Sequence, residues 1–215
     1  ADRAEHWLQQ PLAPLEQIGD RWEWLRAMGY LGIAQAVQGR GKEGWATLAA
    51  MRQLAADNPH LTSLASALTA ACCLFTGETE LALVHARKVE ALYDELKDPV
   101  HLFSAFCTTA WALALEGEAD EARRYMAQAE ALGRELGGRV VLFDWCLAGL
   151  AEGAAALGDR ALTERLSEQV LVLALRLDSR LSLGIVERAL GLVKAMHGGA
   201  GAEVDEHLAA SRAAF

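Results

Sequence analysis

From Val100 to Phe215 the chain has no proline; Pro11, Pro14, Pro59 and Pro99 all fall in the first half. Nothing in that long stretch breaks a helix by removing a backbone donor. Aromatic residues make up only 7% of the chain, although 53% of it is apolar. Ala and Leu carry most of the apolar content, and both favour helix over strand. No segment sustains the period-two alternation of a half-buried strand. No apolar run reaches the ~18 residues of a membrane span, and the first ten residues are too polar for a signal peptide. Positive charge is also scarce: 20 Lys and Arg stand against 29 Asp and Glu, for a net charge of −9. Such a chain repels phosphate backbones, so neither direct nucleic-acid binding nor membrane insertion is expected. Basic pairs such as Arg123-Arg124 lie among acids and read as a solvated face.

The motifs of reactive sites are missing as well. Cys72, Cys73, Cys107 and Cys146 form no C-x-x-C pair and sit in apolar stretches. They read as small buried hydrophobes of a reduced, cytoplasmic protein rather than a disulfide framework. The histidines form no H-E-x-x-H, and none has a Cys or carboxylate at ligand spacing, so no metal site and no cofactor is expected. Gly39-Arg40-Gly41-Lys42-Glu43-Gly44 lacks the spacing of a phosphate loop and follows no strand; a helix-to-helix turn is expected there. Glu16, Asp20 and Glu23 are spaced as on a solvated helix face. No nucleophile has both a base and an orienting group in view, so a non-catalytic protein is expected.

What the chain does have is a repeat. Gly77-Glu78 opens a segment that ends Glu90-Ala91-Leu92-Tyr93-Asp94-Glu95-Leu96. Forty residues on, Gly117-Glu118 opens another that ends Glu130-Ala131-Leu132-Gly133-Arg134-Glu135-Leu136. A third copy starts at Gly158-Asp159, and a weaker one at Gly41-Lys42. Asp57-Asn58-Pro59-His60-Leu61 and Asp98-Pro99-Val100-His101-Leu102 also correspond. In each, Asn58 or Asp98 fits an N-cap and the proline fits the first helical position. His60 and His101 fall at equivalent first-turn positions. The glycines suit helix ends, and the acids after them suit helix starts. Within each copy the apolar residues recur at three- and four-residue steps. Helix pairs are expected at about 20–57, 60–96, 99–136, 139–177 and 180–215, forming a single domain over 1–215. Residues 2–10 read as the tail of a preceding helix, ended by Pro11 and Pro14. Small residues allow the two helices of a pair to approach closely. Ala34, Ala70, Ala110 and Ala151 precede the turns, and Ala46, Ala82, Ala122 and Thr163 follow them.

In the small residue of the first helix, the turn glycine with its acidic neighbour and the alanine five positions on, the chain resembles the tetratricopeptide (TPR) superfamily from about residue 15 to its end. The resemblance implies an all-α fold, a right-handed superhelix of antiparallel helix pairs. It implies protein–protein interaction rather than catalysis. The spacing of 40–41 exceeds the 34 residues of the usual repeat. In this the chain is similar to the sensor arms of MalT-like bacterial regulators and signalling ATPases. That similarity implies a small-molecule-sensing arm in transcription regulation as the alternative role. The chain begins with Ala1 and stops at Phe215 within an apparent helix, and a piece of a larger protein is expected.

In TPR arrays the first helices line the concave face. Carried over by position, that face would include Gln35 from the first pair and Leu74 and Phe75 from the second. Cys107 and Trp111 would come from the third, and Trp145 and Glu152 from the fourth. One reading is an apolar groove anchored by Trp111 and Trp145, fit for an amphipathic helix, a neighbouring domain of the same polypeptide or a small apolar ligand. The other reading is that these residues are core. The family's carboxylate clamp uses inner-face asparagines; the single asparagine here, Asn58, sits at a turn. The amphipathic segment Val204 to Phe215 also admits pairing with a second copy, as a homodimer.

Overall fold

The computed structural model describes residues 2–138, 140 and 142–214, leaving aside the side chains of residues 2–4. Two short helices come first, α1 (Asp2–Gln9) and α2 (Leu12–Ile18). Helices α3 (Arg21–Val37) and α4 (Gly41–Ala55) follow, then α5 (Pro59–Thr76) and α6 (Thr79–Leu96). Next come α7 (Pro99–Leu115), α8 (Ala119–Glu135), α9 (Phe143–Ala156) and α10 (Arg160–Leu177). The last are α11 (Arg180–Met196) and α12 (Gly201–Ala214). The fold is all-α, with no strand among the described residues.

Local chemistry explains the boundaries. The Asn58 side chain accepts from the Leu61 N–H at 3.1 Å, and Pro59 opens α5 where its missing donor costs nothing. Asp98 accepts from the N–H groups of Val100 and His101 at 3.0 and 3.2 Å, so the α7 start repeats the arrangement. Asp20 and Asp159 cap α3 and α10 in the same way. Pro14 differs from expectation. It lies inside the first turn of α2, where a proline removes no needed hydrogen bond, and the break falls before Pro11.

The turn glycines Gly39, Gly77, Gly117, Gly158 and Gly198 all take positive φ and recur every 38 to 41 residues. This corrects the first copy. Its turn glycine is Gly39, not Gly41, so the small residue five positions on is Gly44, and Ala46 is exposed. Seven positions before Gly39 stands Gly32. A Cβ on Gly44 would lie 2.6 Å from the Gly32 carbonyl oxygen, so α3 and α4 touch backbone to backbone. The same two places hold Ala70 and Ala82, Ala110 and Ala122, and Ala151 and Thr163, each at most 1% exposed.

The chain divides into two compact units, residues 1–105 and 106–215. In the first, α3 packs on α4 and on α5, and α5 packs on α4 and α6. Helices α1 and α2 lean on α3. Its core includes Leu25, Ile33, Leu48, Met51 and Val89. In the second, α9 packs on α10 and α11, α10 on α11, and α11 on α12, around Leu150, Leu166, Val170, Ile185 and Val193. Short turns between packed neighbours make these pairs helical hairpins. By length and composition α5 is apolar enough to cross a membrane, contrary to the sequence expectation, but 67% of that stretch is buried inside the fold. Its hydropathy serves the core.

Gly44→Ala is expected to lower the unfolding free energy by about 1–3 kcal/mol, because the added methyl meets backbone that cannot turn aside. Gly201→Ala, with open space around it, should stay within about 0.5 kcal/mol of the parent. Urea denaturation of both variants measures the difference.

Candidate functional site

Most of the residues expected on the binding face are packed. In the first unit, Gln35 is 7% exposed and its side-chain oxygen accepts from the Thr47 hydroxyl of α4 at 2.9 Å. Leu74 is buried, and Phe75 is half-buried. In the second unit, Cys107 is buried, and burial raises its thiol pKa well above the ordinary value. Trp111 is only 6% exposed. Its indole lies over the backbone of Gly149, where a Cβ would come within 2.7 Å of the ring. Trp145 is half-buried. Phe75 and Trp145 are thus the two aromatic candidates with surface left to offer.

Glu152 is 8% exposed and forms an ion pair with Arg188 of α11, at 2.6 and 2.8 Å. Burial raises its pKa, and the guanidinium opposes the rise. The pair joins first helices of successive hairpins. Near the starts of α9 and α11, the Ser182 hydroxyl donates to Asp144 at 2.6 Å. In the first unit Ser63 of α5 and His101 of α7 meet at 3.1 Å in a similar place. The repeat spacing itself was the signal for these partners, since each pair lies 36 or 38 residues apart.

His101 brings together Asp98, Ser63 and Trp22. Its Nδ1 lies 3.0 Å from Asp98 and 3.1 Å from Ser63, and Trp22 stacks on the ring. The three residue types are those of a nucleophilic triad, but both partners share one ring nitrogen. A base that activates serine uses the opposite nitrogen from the one its aspartate orients. The cluster therefore holds α7 against α3 and α5. His60, at the equivalent first-turn position, is exposed, so the equivalence holds in sequence and not in environment.

The remaining sequence candidates are structural too. Asp20 caps α3, and Glu23 pairs with Arg26 at 2.5 Å. Arg40, within the glycine-rich turn, pairs with Glu5 and Glu43. Burial pushes the thiols of Cys72 and Cys73 up to about 11 and 12, so neither is a nucleophile at neutral pH. Among the described residues no group of three or more His, Cys, Asp or Glu is placed to hold a metal ion. A cavity of about 150 Å³ lies between Leu15, Glu16, Arg21, Trp24 and Leu54. It falls short of the ~300 Å³ of ordinary small-molecule sites.

Arg188→Met should strand the buried Glu152 carboxylate and cost roughly 2–3 kcal/mol at neutral pH, with much of the loss recovered by Glu152→Gln in the same chain. Thermal unfolding of the three variants reads this out. Asp98 has its pKa lowered to about 2, chiefly by its hydrogen bond to His101. A lowered pKa gives stability that is present above the unfolded value of ~3.9 and lost as pH falls through the folded one. Acid unfolding between pH ~4 and ~2 should therefore be shallower in Asp98→Asn than in the parent.

No known family's sequence model matches the chain, and no curated protein is significantly similar to it.

Proposed function

We propose that this chain is a non-catalytic binding scaffold of TPR type. In this reading its hairpins wind into a right-handed superhelix, and the first helices form the concave face that receives a helical segment. That segment belongs to another protein or to a neighbouring domain of the same polypeptide. The observation that carries the proposal is the packing rule seen in each unit: a first helix leans on its own partner and on the next first helix. A fold built from such steps gains surface with every hairpin while its chemistry stays inert. The second helices support the reading. In α6 only Ala82, Ala86 and Val89 are buried, and the face carrying Val84, Arg87, Lys88 and Ala91 is exposed.

Burial redistributes the roles within that face. Trp111, Leu74, Cys107, Gln35 and Glu152 hold the hairpins together, which leaves Phe75 and Trp145 as the contact residues. The alternative, a small-molecule-sensing arm of a MalT-like regulator, draws on the long repeat spacing. It calls for a stabilising apolar ligand where the first reading calls for a peptide.

Selection of displayed amphipathic helices against the purified chain tests the proposal. Trp145→Ala and Phe75→Ala are each expected to weaken a selected helix about tenfold or more, with helical content unchanged. Failure to select any helix, or binders indifferent to both substitutions, counts against it.

A further inference from the structure

Three cross-contacts between successive first helices share one register. In each, a residue meets the one that stands two places further from its own turn glycine on the next helix. Ser63, fourteen residues before Gly77, meets His101, sixteen before Gly117. Asp144, fourteen before Gly158, meets Ser182, sixteen before Gly198. Between α7 and α9 the third contact lies nearer the turns. Ala114 stands three residues before Gly117 and Gly153 five before Gly158, and a Cβ on Gly153 would lie 3.5 Å from that of Ala114.

One turn beyond the Ser63–His101 and Asp144–Ser182 pairs, this register brings together the places ten and twelve residues before the two glycines. From α5 to α7 they hold Ala67 and Ala105, members of one buried cluster. From α9 to α11 they hold Ala148 and Val186, both 0% exposed. From α7 to α9 they hold Cys107 and Cys146. The two cysteines lie on the same stripes as Ala114 and Gly153, since the seven residues between nearly complete two turns of each helix. A Cβ separation like the 3.5 Å found there is one that a disulfide spans, about 3.5–4.5 Å. Among the described residues no third His, Cys, Asp or Glu joins the two thiols to hold a metal ion, so the chemistry left to the pair is oxidation. Cys146 is half-buried and can be reached from solvent, while Cys107 is 3% exposed.

We propose that Cys107 and Cys146 form an oxidation site, at which a peroxide converts the two thiols into a disulfide clamp between α7 and α9. The Cys146 sulfur attacks one peroxide oxygen. An S–O bond forms, the O–O bond breaks and water leaves, giving a sulfenic acid. The Cys107 sulfur then attacks the Cys146 sulfur. The S–S bond forms, the S–O bond breaks, and the hydroxyl departs with the Cys107 proton as a second water. The two thiols have given up two electrons and two protons, and hydrogen peroxide has been reduced to two waters. Burial holds the Cys107 thiol well above its ordinary pKa, so the second step is slow at neutral pH and quickens as pH rises. Fixed juxtaposition favours it over reaction with any outside thiol. The clamp is independent of whether the first-helix face binds a helix.

The test treats the intact folded chain with hydrogen peroxide at about pH 8, alkylates the remaining thiols after denaturation and maps the peptides. Cys107 and Cys146 are expected to escape alkylation together, in a chain two hydrogens lighter whose peptides are linked through them. Cys72 and Cys73, both 0% exposed, should stay alkylatable. Dithiothreitol should restore all four thiols. Cys107→Ala introduces the residue that Ala67 and Ala148 already supply at the same place in the neighbouring helices, so the fold is expected to hold. It should abolish the link and leave a Cys146 sulfenic acid that dimedone captures. Cys146→Ala should leave Cys107 reduced under the same treatment. Four alkylatable thiols in the treated parent, a link from Cys146 to Cys72, Cys73 or a second chain, or equal dimedone labelling of Cys146 in the parent and in Cys107→Ala would overturn the proposal.

Discussion

Everything in this fold depends on how closely two helices of a hairpin can approach at one crossing. That crossing is occupied by Gly32 and Gly44, Ala70 and Ala82, Ala110 and Ala122, and Ala151 and Thr163. In these four hairpins nothing larger than threonine stands there; after Gly198 the place five positions on is held by Glu203, which is exposed. With the backbones this near, the larger side chains on either side interlock, and the first helix is left with two further faces to bury. It fills one against the preceding second helix and one against the preceding first helix, as α5 does with α4 and α3 in the first unit and α11 does with α10 and α9 in the second. The apolar character of α5 follows from that position.

The same demand explains the fate of the residues that looked most like a binding surface. A first helix enclosed on several sides uses its aromatic and polar side chains for internal contacts. Trp111 covers Gly149, and Glu152 finds Arg188. Buried ionic and hydroxyl pairs of this kind hold neighbouring hairpins to one alignment, because any other would leave a polar group without a partner.

Much of the fold was legible because its punctuation is local. Asn58-Pro59 and Asp98-Pro99 announce helix starts through capping chemistry, and the turn glycines announce helix ends through positive φ. The first hairpin was misaligned by two residues because Gly39, Gly41 and Gly44 lie together, and sequence spacing alone does not say which glycine carries the left-handed turn. Which first-helix residues stay exposed was less legible. Exposure depends on what packs against a helix from far along the chain, and period alone does not separate a face turned to water from one turned to another helix.

The hydrogen bonds between Ser63 and His101 and from Ser182 to Asp144 have one more consequence. Apolar helix surfaces slide past one another at small cost, since one ridge resembles the next a turn later. A displacement of one turn, about 5.4 Å, would pull each of these buried pairs apart. Within each unit they act as stops in a mechanism otherwise free to slip, and they let hairpins built from nearly interchangeable alanine and leucine settle in one register.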